Sequence, residues 1–438
     1  MAKRSKGGSG HAGGSSEEYL HGGERCDVCG RPASMVDFLF PGPVGNLCDD
    51  CARTVYLALE EVRRAGEQRE RMALPSLEEL PKPTEIVAYL DEYIIGQDAA
   101  KRTMAVAVYN HYKRLIHNTD LKRKGLKEVD DVEIEKSNIM MVGPTGTGKT
   151  LIARTIARML KVPFTIVDAT LFTQAGYVGE DVESMLSRLL QVADYDVEAA
   201  ERGIVFVDEI DKIARKEDNP SITRDVAGEG VQQSMLKLLE GTNVNVPPEG
   251  GRKHPDQKMI VVNTENILFI CGGAFAGIEK KIAKRMNTRV VGYTASRGSR
   301  RIEEGDSLLR YIAPSDLRAF GLIPELIGRL PILTYLEPLD KVALRAILTE
   351  PHNALVKQYR HLLAMDGIEL RIDEEVYDFV VDKALEYKVG ARGLRSIFEG
   401  IMEDVMYEAP SSKKRVVHVT RKYAEEHLRV TDARLEAL

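Results

Sequence analysis

The chain has 438 residues, 43% of them hydrophobic and 29% charged, and its formal net charge is −6. This length predicts roughly two or three domains, and the acidic balance excludes a globally basic surface for nucleic acid. No run of about 18 apolar residues occurs, so we expect no membrane-spanning helix.

Residues 1–22 are rich in glycine, serine and polar residues and contain no apolar segment typical of a secretory signal. This composition predicts a disordered tail. The chain has five cysteines. Without an export signal they favour a reducing cytoplasm, where paired cysteines more often bind metal than form disulfides.

Four cysteines follow the spacing C-x₂-C-x₁₈-C-x₂-C: Cys26, Cys29, Cys48 and Cys51. This spacing predicts a four-thiolate zinc domain over residues 23–62. Buried or disulfide-paired cysteines are the alternative. Cys271, alone in "ILFICGG", is expected in a core strand. The prolines within residues 63–83 predict a linker.

Residues 84–336 alternate short apolar runs with helical patterns, which predicts a parallel sheet covered on both faces. The predicted strands are "NIMMVG", "FTIVDA", "GIVFVDEID", "NILFICGG" and finally "PILTYLEPL". Residues 337–438 predict a smaller, mostly helical domain that includes the strand-like "KRVVHVT".

The segment "GPTGTGKT" follows the first of these strands and precedes a helix, as a phosphate-binding P-loop does. Glycines let backbone N–H groups curl around phosphates, Lys149 would reach the β/γ oxygens, and the Thr150 hydroxyl would take Mg²⁺. An ordinary glycine turn is the alternative. The predicted nucleotide-binding residues are Gly143, Pro144, Thr145, Gly146, Thr147, Gly148, Lys149, Thr150 and Leu151.

Asp208 and Glu209 end the strand in "GIVFVDEIDKI", which we expect to neighbour the P-loop strand. In P-loop ATPases such an aspartate holds Mg²⁺ and the glutamate polarises the attacking water. A solvated acidic loop is the alternative.

Two arginines and one apolar pair are further candidates. Arg329 in "ELIGRLP" and Arg392 in "VGARGLR" could stabilise the charge of a transferring phosphate, although such arginines more often form surface salt bridges. Ile94 and Ile95, before Gly96 in "YIIGQD", could flank an adenine, although many helix starts have this appearance.

Eight segments occur in the order found in the ClpX family of AAA+ unfoldases, which feed proteins to the ClpP peptidase, and the chain resembles that family from about Cys26 to near its C-terminus. They are "GPTGTGKT", "AGYVGEDVE", "VFVDEIDKI", "NPSITRDVAGEGVQQ", "GGRKHP", "ILFICGGAFAG", "GLIPELIGRLP" and "GARGLR". The resemblance implies a homohexameric ring around an axial channel. It also implies ATP bound between a large and a small AAA+ domain, with Arg392 acting in cis and Arg329 from the neighbouring subunit.

The segment "QAGYVGEDVE" places Tyr177 and Val178 between glycines in an acidic stretch. The resemblance implies a moving channel loop whose aromatic–aliphatic pair grips any extended polypeptide. A tyrosine folded back onto its own domain is the alternative. Thr223 and Arg224 resemble a second pore loop, and Arg252, Lys253 and His254 resemble the basic loop at the channel entrance that would attract a C-terminal tag.

Two segments depart from the family pattern. Val291, Gly292 and Tyr293 stand where the family has an Ile-Gly-Phe tripeptide that docks on the peptidase. They keep the aliphatic–glycine–aromatic order but add a hydroxyl. The strand "ILFIC" ends in Gly272 and Gly273, so no residue is assigned to the polar sensor typical of AAA+ enzymes.

The predicted fold class is α/β: a P-loop AAA+ domain with a parallel sheet flanked by helices, a small mostly helical C-terminal domain, and a small N-terminal zinc domain built on cysteine pairs. The predicted function is a cytoplasmic ATP-dependent protein unfoldase using ATP, Mg²⁺ and Zn²⁺. The zinc domain is expected to dimerise and recruit substrates or adaptors. A zinc-containing ATPase that remodels nucleic acid is the first alternative, since "HYKRLIHNTDLKRKG" could touch phosphate. A zinc adaptor with an inactive ATPase fold is the second, which the intact Lys149, Asp208 and Glu209 oppose.

Overall fold

The computed structural model describes residues 25–43, 45–71, 75–124, 132, 134–173, 180–215, 228–247, 259–290, 307–387, 390–412 and 415–435. Contacts divide the chain into two compact units, Met1–Ala73 and Leu74–Leu438. The domain boundaries given above stay predictions.

The first unit contains a short hairpin followed by a long helix. Strands β1 (Leu39–Pro41) and β2 (Asn46–Cys48) pair antiparallel, and helix α1 (Asp49–Arg71) begins directly after β2. Among residues 25–63, and leaving aside residue 44, only Cys26, Asn46 and Cys48 have buried side chains. This unit therefore has a very small core.

The second unit begins with an α/β part. Its helices are α2 (Pro83–Asp91), α3 (Asp98–Lys124), α4 (Lys149–Leu160), α5 (Ser184–Val192), α6 (Val197–Ala200), α7 (Glu229–Glu240), α8 (Ile278–Val290), α9 (Pro314–Phe320) and α10 (Pro324–Gly328). Its strands are β3 (Ile139–Val142), β4 (Phe164–Asp168), β5 (Ile204–Asp208), β6 (Asn243–Val246), β7 (Ile260–Asn263), β8 (Leu268–Gly273) and β9 (Ile332–Tyr335).

Five of these strands form a parallel sheet in the order β4-β5-β8-β3-β9. All five correspond to strands predicted from apolar runs, and the predicted fold class is confirmed. The expected pairing of the Asp208 strand with the P-loop strand was wrong. Strand β8 lies between β5, which ends in Asp208, and β3, which precedes the P-loop. All residues of β3 and β8 are buried, as expected of central strands covered on both faces.

The remaining part of the unit is mostly helical. Its elements are α11 (Lys341–Thr349), α12 (Leu355–Met365), β10 (Glu369–Ile372), α13 (Glu374–Glu386), α14 (Gly390–Glu408), β11 (Val416–Val419) and α15 (Arg421–Leu435). Strands β10 and β11 pair parallel, and the helices bury a separate apolar core that includes Phe398 and Leu363. Within the described ranges, no helix has the length and apolarity that crossing a bilayer requires.

Candidate nucleotide-binding site and cysteine cluster

The P-loop leaves the carboxyl end of β3 and runs into α4. An added Cβ on Gly143 would lie 2.8 Å from both the Cβ and the carbonyl oxygen of Leu336, so only glycine fits there. Gly146 and Gly148 have φ values of 82° and 101°, a region that favours glycine. The loop therefore presents backbone N–H groups at the start of α4, where anions bind.

The side chain of Lys149 is buried against this loop. Its Nζ donates hydrogen bonds to the carbonyl oxygens of Gly143 at 2.6 Å and Pro144 at 2.9 Å. Burial lowers the pKa of Lys149, and the nearby Asp208 and Asp211 carboxylates oppose that shift. Phosphate oxygens would offer the same ammonium stronger, charge-assisted hydrogen bonds.

Thr150, at the start of α4 after β3, and Asp208, at the end of β5, meet at the same edge of the sheet. The Thr150 hydroxyl donates to Asp208 Oδ2 at 3.1 Å, and the Glu209 backbone N–H donates to Asp208 Oδ1 at 2.9 Å. A threonine hydroxyl beside an aspartate carboxylate supplies the oxygen ligands that Mg²⁺ prefers in phosphate sites. The donor set thus fits the metal, although β8 separates the two strands.

Glu209 is exposed and has φ 55°, a left-handed conformation that is uncommon for residues other than glycine. Such backbone strain persists where the surrounding structure enforces it, often at functional sites. Glu209 directly follows Asp208, the last residue of β5, so its exposed side chain lies at the same edge of the sheet as the P-loop.

Asp211 was missed by the sequence analysis. It is 8% exposed and its Oδ1 accepts a hydrogen bond from the Ala274 N–H at 3.1 Å, which joins the end of β5 to the end of β8. An added Cβ on Gly273 would lie 2.8 Å from that oxygen, and one on Gly272 would lie 2.7 Å from the Phe206 ring. Packing thus explains why β8 ends in glycines, which have no polar side chain to act as a sensor.

The two isoleucines predicted for the adenine pocket differ in burial. Ile94 is buried in the core, whereas Ile95 is half-buried. Next to them, Gln97 has φ 62°, and its side-chain amide exchanges two hydrogen bonds of 2.8 Å with the backbone N–H and carbonyl of Glu337. This contact, which the sequence did not reveal, ties the loop before α3 to the segment between β9 and α11.

The two arginines lie in different places. An added Cβ on Gly390 would be 3.5 Å from the Thr145 carbonyl oxygen, so α14 begins beside the P-loop and carries the exposed Arg392 there. Arg329 precedes β9, and its carbonyl accepts from the side chain of Asn138, which precedes β3. Because β3 and β9 are parallel, Arg329 lies at the sheet edge opposite the P-loop, where Nη2 pairs with Glu240 at 2.9 Å.

The remaining predicted site residues lie outside the described residues. They are Tyr177, Val178, Thr223, Arg224, Arg252, Lys253, His254, Val291, Gly292 and Tyr293. Their roles stay predictions.

The four paired cysteines form one cluster in the first unit. Cys26 and Cys29 lie on a turn closed by the Gly30 N–H to Cys26 carbonyl bond of 2.8 Å, and Cys48 and Cys51 lie where β2 meets α1. The Sγ atoms all lie within 4.8 Å of one another, and those of Cys29 and Cys48 are 3.7 Å apart. Sulfur ligands placed tetrahedrally at about 2.3 Å from Zn²⁺ stand about 3.8 Å apart, so the cluster fits zinc.

The surroundings shift the pKa values of the four thiols in opposite directions, down for Cys26 and Cys29 and up for Cys48 and Cys51. The Cys29 N–H lowers the pKa of Cys26 to about 6, and the Arg31 backbone and guanidinium lower the pKa of Cys29. Hydrogen bonds to the sulfurs of Cys29 and Cys48 raise the pKa of Cys51 to about 12. A bound dication would stabilise all four thiolates together.

The sheet order, the P-loop with Lys149 and the Thr150–Asp208 contact define a P-loop ATPase of the AAA+ class. Residues 134–333 match the family described as AAA domain (Cdc48 subfamily), and residues 339–421 match the C-terminal, D2-small domain of ClpB protein. The chain is therefore an ATPase.

Similar proteins narrow this class. The chain is 64% identical over 405 residues to a Bacteroides fragilis protein named ATP-dependent Clp protease ATP-binding subunit ClpX, covering 92% of this chain and 95% of the relative. The Bacteroides thetaiotaomicron protein of that name is 64% identical over 405 residues, covering 92% and 96%. A Porphyromonas gingivalis protein, also so named, is 62% identical over 409 residues, covering 93% and 97%. The chain belongs to the ClpX family, as the sequence resemblance predicted.

Proposed function

We propose that this chain is an ATP-driven protein unfoldase that assembles as a homohexamer and threads tagged proteins through its central channel into a ClpP-type peptidase. The observation that carries this proposal is the intact ATPase centre, in which Lys149, Thr150 and Asp208 meet at one sheet edge, in a member of the ClpX family. The chain would supply the energy and the grip, and the peptidase would supply the cleavage.

In the proposed ATPase cycle, the P-loop N–H groups and Lys149 bind the phosphates. Thr150 and Asp208 would hold Mg²⁺, which screens phosphate charge when bound. Glu209 would orient and polarise the attacking water. Arg392 would contact the phosphates from the small domain, because α14 begins beside the Thr145 carbonyl of the P-loop. Ile94 and Ile95 would line the adenine pocket.

Arg329 would act on the ATP of a neighbouring subunit. It lies at the amino-terminal end of β9, away from the P-loop of its own chain. An arginine supplied from a neighbour couples hydrolysis to assembly. Breaking the surface pair with Glu240 costs little, since exposed ion pairs contribute only about 1 kcal/mol or less.

Tyr177 and Val178 would grip the substrate, helped by Thr223 and Arg224, while Arg252, Lys253 and His254 would attract a C-terminal carboxylate. Val291, Gly292 and Tyr293 would dock on the peptidase. Deleting residues 291–293 is expected to abolish peptidase-dependent proteolysis and to leave ATP-driven unfolding intact. Proteolysis at the wild-type rate would remove that role.

The cysteine domain would bind zinc and dimerise to recruit substrates or adaptors. The described part of this small unit exposes many large apolar side chains for its size: Val28, Met35, Phe38, Phe40, Tyr56, Leu57, Leu59 and Val62. Large apolar side chains exposed in this number favour a protein–protein contact on the unit. This surface supports the proposed dimer.

The nucleic-acid alternative depended on the basic residues of α3. Arg114 is only 5% exposed and His111 only 4%, and both bond to backbone carbonyls of the β7–β8 turn. Burial and the charges of Arg114 and Lys136 lower the pKa of His111 to about 3, so it is neutral at physiological pH. These two residues of the segment are therefore unavailable to phosphate, which weakens the nucleic-acid alternative.

The test uses a stable fluorescent protein with a C-terminal degradation tag, incubated with the full chain and ATP but without peptidase. A chaperonin trap captures unfolded protein and prevents refolding. We expect fluorescence loss with the wild-type chain and none with Tyr177→Ala or Glu209→Gln. Brisk ATP hydrolysis with no fluorescence loss, and stimulation of that hydrolysis by DNA in a salt-sensitive manner, would instead support the nucleic-acid alternative.

A further inference from the structure

The two chain ends that flank residues 174–179 are joined by backbone hydrogen bonds. The Thr173 N–H donates to the Glu180 carbonyl at 3.1 Å, and the Glu180 N–H donates to the Leu171 carbonyl at 3.2 Å. Phe172 and Glu180 thus form an isolated parallel bridge, and Phe172 is fully buried beneath it. The segment between them carries Tyr177 and Val178 and lies outside the described residues.

The side chain of Glu180 is held by three further hydrogen bonds. Both of its carboxylate oxygens accept from Nη2 of Arg188 at 2.8 Å, and Oε2 also accepts from the Ser184 hydroxyl at 2.9 Å. Ser184 and Arg188 belong to α5, a helix that contacts β4 and has buried leucines. The carboxylate therefore connects the bridge to a helix anchored in the core.

The fold does not require this connection. The side chains of Arg188 and Glu180 are 37% and 43% exposed, and ion pairs that remain open to solvent contribute only about 1 kcal/mol or less to stability. The burial of Phe172 and Val182 already fixes the chain on both sides of the bridge. Three hydrogen bonds on one half-buried carboxylate, next to the proposed gripping segment, point to a mechanical purpose.

We propose that Glu180 and Arg188, the stem pair, are positioning residues that hold the base of the substrate-gripping loop against α5, so that movement of the large domain pulls on the substrate instead of bending the stem. This inference rests on the proposed function, because it assumes that Tyr177 grips substrate. A pulling force on Tyr177 is transmitted to the large domain through the chain on either side, at Thr173 and at Glu180. The stem pair stiffens the connection at Glu180.

The stem pair should matter in proportion to the resisting force. A stably folded domain resists until it is pulled open, whereas a chain that is already unfolded offers little resistance. Loss of the pair should therefore slow unfolding of a stable domain and leave transport of an unfolded chain nearly unchanged. Basal ATP hydrolysis should also be unchanged, since none of these residues belongs to the nucleotide site.

The test compares Glu180→Gln, Arg188→Gln and the exchanged double variant Glu180→Arg/Arg188→Glu in the full-length chain. Each single variant is expected to unfold a stable tagged fluorescent protein at least fivefold more slowly. Its transport of the same substrate, unfolded beforehand, should change less than twofold. The exchanged variant should recover at least half of the wild-type unfolding rate, because the pair is restored with reversed charges.

The matched control is Glu425→Gln, which removes a similarly exposed ion pair with Arg421 on α15 and should unfold the substrate at the wild-type rate. Wild-type unfolding by both single variants, or no recovery in the exchanged variant, would overturn the proposal. Tyr177→Ala is included as a separate arm. If the Tyr177→Ala variant unfolds the substrate at the wild-type rate, the proposed function itself fails. If only the stem-pair variants unfold it at the wild-type rate, the gripping role of Tyr177 stands and the role of the stem pair is refuted.

Discussion

Glu209 is the residue on which the proposed ATP hydrolysis depends most. Its backbone has φ 55° and its carboxylate is exposed beside Asp208. Glu209→Gln keeps the size and hydrogen-bonding reach of the side chain but removes the base. We expect ATP hydrolysis to fall by about 100-fold or more, the usual scale for a lost general base, while a fluorescent ATP analogue binds with nearly unchanged affinity.

The control for this prediction is Glu198→Gln, which alters an exposed glutamate of α6 that pairs with Arg202, four residues further along the chain. Phosphate release and nucleotide binding are measured on both variants. Hydrolysis at the wild-type rate in Glu209→Gln would show that another group activates the water.

His111 makes stability depend on pH. It is buried, its Nε2 donates to the Asn266 carbonyl at 3.1 Å, and burial with the Arg114 and Lys136 charges lowers its pKa to about 3. In the unfolded chain its pKa is about 6.5. Between these values only the unfolded chain takes up the proton, so stability is lost as pH falls below about 6.5.

The expected loss from His111 is about 2 kcal/mol between pH 6.5 and pH 5. His111→Gln keeps a donor for the Asn266 carbonyl and should remove that part of the acid sensitivity. Urea unfolding midpoints of the two proteins at both pH values give the comparison. Equal midpoint shifts would mean that His111 titrates normally in the folded chain.

Residue-scale contacts were the least predictable part of the site. The identities of Lys149, Thr150 and Asp208 follow from local patterns, because a P-loop and an acidic strand end are readable in sequence. Asp211 and Ala274 are separated by 63 positions in the sequence, and Gln97 and Glu337 by 240 positions. No local periodicity encodes these two contacts, since they depend on which strand ends become neighbours.

At the scale of elements, the cysteine unit cannot depend on its core. Its strands have three residues each, and its described side chains up to residue 63 include only three buried ones. Domains of this size need a metal or another cross-link. We expect zinc removal by a chelator, or the change Cys26→Ser, to unfold this unit.

Hydrogen exchange across residues 25–63 measures this unfolding directly, with zinc content determined in parallel. The second unit has its own cores, so its basal ATP hydrolysis and its thermal transition should be unchanged. Full exchange protection after complete metal removal would contradict a structural zinc site.

Strand identities were predictable at this scale, but strand order was not. The five sheet strands are continuous apolar runs, which buried parallel strands require. Strand β6 reads "NVNV" and alternates polar with apolar residues, so no apolar run marks it. The position of β8 between β5 and β3 depends on how the crossover helices pack, and the sequence alone places Asp208 only at a strand end.

At the scale of the whole molecule, the ATPase centre is incomplete without a neighbour if Arg329 acts in trans. Arg329→Ala and Lys149→Ala should each abolish hydrolysis when pure. Rings assembled from equal amounts of both should regain about a quarter of the wild-type rate, because one interface in four then pairs an intact Lys149 with an intact Arg329. Light scattering with ATP checks assembly of each variant, and phosphate release gives the rate.

A mixture as inactive as its two parents would contradict catalysis across the interface. So would full activity of Arg329→Ala alone, which would reduce Arg329 to the partner of Glu240 at the surface.

Directional threading of the substrate from its tag is tested by the order in which the domains of a tandem substrate unfold. Two fluorescent domains of different colour are fused in one chain that carries a C-terminal tag, and both signals are followed in single turnovers with ATP and a trap. We expect the domain next to the tag always to lose fluorescence first and the distal domain to follow after a delay. Simultaneous or random loss of the two signals would contradict directional threading.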